Sequence, residues 1–126
     1  MSEPFAVFVL VKHDGGYAAT TRAADAGESG RIGLPGGKVD AGEDAVAAAY
    51  RESKEEGWIV SNINPTPINK DIYEGHEIWW FEAESGQPLD DYKEKHRGIN
   101  PIVVSLDDLV KSGYGNEFLT KYMAES

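Results

Sequence analysis

Residues 36–58 read GGKVDAGEDAVAAAYRESKEEGW, which joins a pair of glycines to a segment rich in alanine and glutamate. Alanine has the highest intrinsic helix propensity, and an acidic first turn and a glycine after the last turn are typical of helix ends. The pattern therefore predicts a helix over Asp44–Glu56 that stops at Gly57. The stripe expected to face a sheet consists of Val46, Ala49, Tyr50 and Ser53.

Three glutamates gather on one narrow face of this predicted helix. At about 100° per residue, Glu52 and Glu56 lie about 40° apart, and Glu55 lies about 60° to the other side of Glu52. Carboxylates crowded in this way raise one another's pKa, so a counter-charge is expected. Because carboxylate oxygens are hard ligands, Mg²⁺ or Mn²⁺ is the fitting ion, and Arg51 supplies further positive charge nearby.

The spacing around these acids distinguishes them from an ordinary solvated helix face. From Gly37 to Glu56 the chain follows the pattern G-x5-E-x7-R-E-x2-E-E. This pattern resembles the signature of the Nudix hydrolases, G-x5-E-x7-R-E-U-x-E-E-x-G-U, in which U is aliphatic. Two positions depart from it. Ser53 stands where the signature has an aliphatic residue. After Glu56 the signature has one residue of any type before its glycine, whereas here Gly57 and Trp58 follow Glu56 directly. A one-residue deletion that leaves Gly57 as the capping glycine is favoured over replacement of the glycine by Trp58, because Gly57 makes a sound helix stop.

The resemblance implies an α/β/α sandwich with a mixed central sheet, built from one domain over residues 1–126. It also implies hydrolysis of a nucleoside diphosphate linked to another group, in which divalent metals bridge carboxylates and pyrophosphate and water attacks a phosphorus atom. The metal ligands that it implies are Glu52, Glu55, Glu56 and the backbone carbonyl of Gly36. Glu43 and Arg51 are expected to brace the loop and the helix.

A carboxylate must accept a proton from the attacking water. The catalytic candidates are Glu52 and Glu55 on the helix and Glu94 in the polar stretch Asp90–Arg97, which is expected to be a loop. For Glu94 the alternative is an exposed surface acid. Two cations are candidates for substrate phosphates: Arg22, whose guanidinium forks onto two oxygens, and Lys38, which follows the double glycine. A P-loop is not expected at Lys38, because the next residue is neither serine nor threonine.

The composition and net charge of the chain limit the classes of binding partner that are expected. The chain has 126 residues, no cysteine and 22 acidic against 12 basic residues, for a net charge of -10. This charge repels a phosphate backbone, so binding to long nucleic acid is disfavoured as the main role. The longest apolar run, Phe5–Val11, has seven residues and is far too short for a membrane span, so no membrane partner is expected. The lack of cysteine and of a basic leader favours a cytoplasmic location. A homodimer is left open, since dimers are common in the family.

The rest of the chain predicts a sheet with helices on both faces. Strands are expected over Phe5–Val11, Tyr17–Arg22, Trp58–Ile63, His76–Ala83 and Pro101–Ser105, and helices over Leu106–Lys111 and Asn116–Ala124. Residues 23–30 are expected to form a loop. Aromatic residues in or just before the fourth of these strands are candidates for a base-stacking wall, with core packing as the alternative; they are Tyr73, Trp79, Trp80 and Phe81. The three histidines have no spacing typical of a metal site.

The resemblance leaves the substrate open. Small members without further motifs often act on nucleoside triphosphates, including oxidised ones. The first hypothesis is therefore a Mg²⁺-dependent pyrophosphohydrolase that releases a nucleoside monophosphate and pyrophosphate, with cleansing of the nucleotide pool as its role. The second is a hydrolase of dinucleoside polyphosphates, ADP-ribose or nucleotide sugars. The third is a non-catalytic nucleotide-sensing module, against which the three intact glutamates argue.

Overall fold

The computed structural model describes residues 3–21 and 32–111, which form eight strands, two α-helices and a 3-10 helix. The strands are β1 (Ala6–His13), β2 (Gly16–Thr21), β3 (Ile32–Gly33), β4 (Gly36–Lys38), β5 (Trp58–Ile63), β6 (Asn69–Tyr73), β7 (His76–Pro88) and β8 (Pro101–Val104). The helices are α1 (Ala45–Glu55) and α2 (Leu106–Lys111), and the 3-10 helix spans Lys93–Arg97. Arg22, the predicted loop over 23–30 and the predicted helix Asn116–Ala124 lie outside the described residues.

The strands form a mixed sheet in the order β3-β2-β1-β7-β5. Strands β1 and β7 run parallel over residues 6–11 and 78–83, whereas the other pairings are antiparallel. Along its other edge, β1 pairs with β4 over residues 6–8 and with β2 only at residues 12–13. The glycines of β4 are therefore held against the first half of the central strand.

Both faces of the central strand are covered. The side chains of Val7, Val9 and Val11 pack in one core with the alanines of α1, and Leu10 packs in a second core with Leu109 of α2. A strand buried on both faces is what the continuous apolar run of β1 predicts. The arrangement confirms the predicted α/β/α sandwich with a mixed central sheet. Within the described part of the chain, neither helix is long and apolar enough to cross a bilayer.

Several predicted element bounds are confirmed or nearly so. Strand β5 and helix α2 have the predicted bounds, and β8 ends one residue earlier than predicted. Helix α1 occupies the predicted segment, with Asp44 and Glu56 as its two capping residues. Local signals were sufficient here, because capping residues and apolar spacing act within a few positions.

Other expectations about the sheet and the polar stretch were wrong. Strand β7 continues beyond Ala83 to Pro88, where it pairs with β5, and β6 was not predicted at all. Four of the five residues of β6 are exposed, so it carries no alternation of apolar and polar positions. The polar stretch that contains Glu94 forms the 3-10 helix instead of an irregular loop.

The buried face of α1 was predicted only in part. Its buried residues include Ala49 and Ser53, as expected, together with two further alanines, Ala45 and Ala48. Tyr50 is instead 39% exposed. Its hydroxyl accepts a hydrogen bond from the Ile63 N–H at 3.0 Å, so Tyr50 connects the helix to the end of β5. Small alanine side chains allow the helix to lie close to the sheet.

Ser53 is fully buried, and its Oγ has no hydrogen-bond partner among the described residues. A buried hydroxyl without a partner costs about 1–3 kcal/mol, so Ser53→Ala is expected to stabilise the fold by about 1 kcal/mol and to raise Tm by roughly 2–5 °C. Thermal unfolding followed by circular dichroism measures this shift. The exposed Ser61→Ala is the control and should leave Tm unchanged. A fall in Tm for Ser53→Ala would contradict the explanation.

Candidate active site

The start of α1 is fixed by carboxylates in the loop before it. Asp44 Oδ1 accepts the Ala47 N–H at 2.8 Å, which caps the first turn. Glu43 Oε1 accepts the Asp40 N–H at 3.1 Å and closes the loop on itself. The helix therefore begins at a defined place after β4.

The end of α1 is fixed by Gly57. Its φ of +103° lies in the region that favours glycine. Its N–H donates to the Lys54 carbonyl at 3.1 Å, and the Glu56 N–H donates to the Glu52 carbonyl at 3.2 Å. Trp58, which is fully buried, then begins β5. These contacts agree with the interpretation that Gly57 is the capping glycine, and the deletion of one residue of the signature stays a prediction.

Arg51 joins the helix to the loop and to β4. Its Nε and Nη2 donate to the two carboxylate oxygens of Glu43 at 2.7 and 2.9 Å, and Nη2 also donates to the Lys38 carbonyl at 3.0 Å. The hydrogen bond from Arg51 holds the pKa of Glu43 below its ordinary value. Such a fork fixes orientation as well as charge, so the pair has the geometry of a brace.

The remaining nitrogen of Arg51 is shared by two of the helix glutamates. Nη1 donates to Glu52 Oε1 at 2.9 Å and to Glu55 Oε2 at 3.1 Å, and Asp40 lies 3.4 Å from Nη2. These hydrogen bonds, with that of Glu43 the largest, hold the pKa of Arg51 above its usual range. The one positive charge of this guanidinium is thus shared among several acids.

Glu52 lies against the backbone of β4. A Cβ atom on Gly37 would come within 2.6 Å of Glu52 Cδ, so a side chain there would displace the Glu52 carboxylate. Burial raises the pKa of Glu52, while Arg51 opposes the shift and the charges of Glu55 and Asp40 add to it. A carboxylate with a raised pKa holds a proton more readily than an exposed acid, which suits a general base.

Glu56 is attached to the same strand. It is 5% exposed, and its Oε1 accepts the Gly36 N–H at 3.0 Å. Gly36 has a φ of +154°, and a Cβ there would lie 2.8 Å from Phe8 Cα on β1. The contact of Gly36 with the acids is therefore made by its amide. The role of its carbonyl as a metal ligand stays a prediction.

The 3-10 helix brings a cation to the site that sequence reasoning missed. Lys93 Nζ lies 3.6 Å from Glu55 Oε1. No local signal indicates this contact, because it is made only when the 3-10 helix packs on α1. Glu94, the candidate from the same stretch, accepts a hydrogen bond from Arg97 Nη1 at 3.1 Å and has a side chain 16% exposed. Its catalytic role stays a prediction.

The two cations predicted to bind phosphate have different positions. Lys38 lies in β4, where Arg51 binds its carbonyl, and its Nζ lies 5.2 Å from the centroid of the Phe5 ring. Arg22 lies outside the described residues. A role in substrate binding is a prediction for both.

The aromatic candidates divide between the core and the surface. Phe81 is fully buried and Trp80 is 7% exposed, so both follow the core-packing alternative. Trp79 is half-buried and has Lys70 Nζ 4.1 Å from its ring centroid, whereas Tyr73 is 66% exposed. The histidines lie beside Trp58 (His13), Phe5 (His76) and the Lys93 carbonyl (His96).

The donor set suits a divalent cation in its chemistry. Glu52, Glu55 and Glu56 offer hard carboxylate oxygens at the end of one helix. Within residues 3–21 and 32–111, however, no three His, Cys, Asp or Glu side chains are arranged to hold an ion. Arg51 binds the first two glutamates, and Gly36 binds the third. An ion held by Glu52 and Glu55 would compete with Arg51 Nη1 for Glu52 Oε1 and Glu55 Oε2.

Known structures share this fold. A structure from an analysis of MutT of the fish pathogen Aliivibrio salmonicida and of Vibrio cholerae superposes with a TM-score of 0.73 at 17% identity, over 99% of this chain and 100% of that chain. A structure of an ADP compounds hydrolase gives 0.70 at 20% identity, over 95% and 72% of the two chains. MutT from Methanosarcina mazei Go1 gives 0.64 at 20% identity, over 99% and 97%. At these identities the likeness shows the fold alone.

The family is shown by the sequence match. No curated protein matches the chain significantly. The family model described as the NUDIX domain matches residues 3–125, nearly the whole length, and this match confirms the resemblance carried by the signature from Gly37 to Glu56. The chain therefore belongs to the NUDIX domain family.

Proposed function

We propose that this protein is a pyrophosphohydrolase that depends on divalent metal and converts a nucleoside triphosphate into the monophosphate and pyrophosphate. Membership in the NUDIX domain family supports the assignment as a pyrophosphohydrolase. The observation that carries the proposal is the gathering of Glu52, Glu55 and Glu56 at the end of α1, around Arg51 and against the glycines of β4. The choice of triphosphates rests on the sequence, which shows no further motif for another substrate.

The charge of the protein supports the requirement for metal. A polyphosphate approaching a chain of net charge -10 meets strong repulsion unless cations lie between the two. Divalent ions held by Glu52, Glu55 and Glu56 would neutralise that charge and lower the pKa of a bound water. Removal of metal with EDTA is therefore expected to abolish turnover, and addition of Mg²⁺ or Mn²⁺ to restore it.

The protein's own residues orient the reaction. We propose Glu52 as the group that accepts the proton of the attacking water, because burial already favours its protonated form. Gly37 allows the Glu52 carboxylate to approach the backbone of β4. Arg51 and Glu43 keep the helix, the loop and β4 in a fixed relation. These contacts hold the catalytic carboxylates in position before substrate arrives.

A substrate panel in the presence of Mg²⁺ tests the proposal. The panel contains normal and oxidised nucleoside triphosphates, dinucleoside polyphosphates, ADP-ribose and nucleotide sugars, and anion-exchange chromatography separates the products. Release of pyrophosphate and monophosphate from triphosphates is the expected result. Preferred cleavage of ADP-ribose or a dinucleoside polyphosphate would favour the second hypothesis, a hydrolase of dinucleoside polyphosphates, ADP-ribose or nucleotide sugars. The fold that the chain shares with an ADP compounds hydrolase agrees with that hypothesis. Nucleotide binding without any turnover would indicate a sensing module.

The setting of the enzyme is part of the same proposal. We propose a small nucleotide as its partner and a cytoplasmic location, with the homodimer as an open alternative to the monomer. Light scattering in solution distinguishes the monomer from the dimer, and cell fractionation tests the location.

A further inference from the structure

The 3-10 helix Lys93–Arg97 carries several basic side chains, and they differ in what they contact. Lys95 Nζ donates to the Asp90 carbonyl at 2.5 Å, and Arg97 pairs with Glu94 at 3.1 Å. Both are thus tied within their own segment. Lys93 instead reaches across to α1, where its Nζ lies 3.6 Å from Glu55 Oε1.

The backbone of Lys93 is held beside the end of α1 by its neighbour. The Tyr92 hydroxyl donates to Asn100 Oδ1 at 3.0 Å. The Tyr92 ring lies so close to the end of α1 that a Cβ on Gly57 would be 3.3 Å from Tyr92 Cε1. The position of Lys93 next to the helix glutamates is therefore set by packing and does not depend on its own ion pair.

The ion pair of Lys93 is a weak one. Its separation of 3.6 Å exceeds the usual hydrogen-bond length, and the Lys93 side chain is 67% exposed. Exposed pairs of this kind contribute little to stability, so the ammonium group can change partner at low cost. Arg51 cannot do so as easily, because its nitrogens already bind Glu43 and the Lys38 carbonyl.

We propose that Lys93 is a substrate-binding residue, whose ammonium group leaves Glu55 to bind a non-bridging phosphate oxygen of the polyphosphate at the α1 carboxylates. This inference rests on the proposed function. An ammonium group is a compact point charge that suits a single phosphate oxygen. A metal ion held by Glu55 would compete with Lys93 for Glu55 Oε1, and the ammonium group would then be available to a phosphate oxygen beside it. The residue thus adds a positive charge to that of Arg51, whose guanidinium is held by Glu43 and the Lys38 carbonyl.

Replacement of Lys93 by methionine tests the inference. The expected result is a rise of roughly 10-fold to 100-fold in KM for the best triphosphate, with kcat changed less than about threefold. The dissociation constant of inorganic pyrophosphate, measured by titration calorimetry with Mg²⁺ present, should rise by a similar factor. Lys93→Arg should restore most of the affinity. The matched control is Lys54→Met, which removes the same charge from the opposite face of α1, about 200° from Glu52.

The outcomes separate this inference from the proposed function. Unchanged KM and pyrophosphate affinity in Lys93→Met would overturn it, as would an equal loss in Lys54→Met. A reduced kcat with a lowered Tm that Lys93→Arg does not rescue would show a structural role only. If no panel substrate is turned over and pyrophosphate affinity still falls in Lys93→Met, the proposed function fails while Lys93 stands as a polyphosphate ligand. A wild-type protein that neither reacts nor binds pyrophosphate would refute both.

Discussion

Glutamine in place of Glu52 is expected to lower kcat by at least about 100-fold on the best panel substrate. Glutamine keeps the size and part of the hydrogen bonding of the side chain. It cannot accept the water's proton, and it carries no charge for a metal ion. Steady-state kinetics with saturating Mg²⁺ measures the effect. Glu74→Gln, at an exposed hairpin turn, is the matched control and should retain full activity. An unchanged kcat in Glu52→Gln would remove Glu52 from the mechanism.

The same variant is expected to be at least as stable as the wild type at pH 7. Because the pKa of Glu52 is raised in the folded state, chiefly by burial, its ionised form opposes folding. At low pH Glu52 is protonated in both states, and the free energy of unfolding is not reduced. As pH rises through the folded pKa, Glu52 ionises at its buried position and the free energy of unfolding falls. Glutamine does not ionise, so Glu52→Gln avoids this loss of stability. The Tm of the variant should exceed that of the wild type most near neutral pH, and the difference should shrink in acid. Thermal unfolding between pH 4 and 8 measures it, and a constant difference would argue against the burial effect.

Replacement of Arg51 by methionine is expected to destabilise the fold by about 2–4 kcal/mol and to lower Tm by roughly 6–15 °C. The Arg51 side chain is only 28% exposed, and its loss leaves Glu43, Glu52 and Glu55 without their shared counter-charge. Arg51→Lys keeps the charge but not the fork, so an intermediate loss is expected. Lys54→Met again serves as the control with the same change in charge.

The loss in Arg51→Met should depend on pH. Arg51 depresses the pKa of Glu43 in the folded state, below the value of 4.5 of an unperturbed glutamate. The stability from this pair is therefore present above pH 4.5 and is lost as pH falls through the depressed value. The difference in Tm between wild type and variant should narrow in that acid range. A difference that widens in acid would exclude the Glu43 pair as the source of the stability.

The helix of the site was predictable from sequence, because its determinants are local. Alanine spacing, the Asp44 cap and Gly57 act within a few residues, and the structure places α1 between those caps. The crowding of Glu52, Glu55 and Glu56 follows from helix geometry alone. What the spacing did not reveal is which cation faces Glu52 and Glu55 in the fold. That depends on which direction the Arg51 side chain takes.

Contacts that depend on the tertiary fold escaped prediction. Strand β6 exists because the turn at Glu74 and Gly75, with φ values of +50° and +81°, folds it back onto β7, while its own residues carry no apolar alternation. The second half of β7 is a strand because β5 lies beside it. The pairing of Lys93 with Glu55 likewise needs the 3-10 helix to dock.

The hydrogen bond between Glu56 and Gly36 restrains the position of the Glu56 carboxylate relative to the sheet. Gly36 pairs with Phe8 of the central strand, so the carboxylate of Glu56 is fastened to the sheet as well as to its own helix. Its thermal displacement is therefore expected to follow that of the central sheet. Rigid mounting favours chemistry that demands a tightly defined separation between reacting atoms. Adaptation to substrates of different shape is then expected from the elements around Glu56 and Gly36 rather than from these two residues.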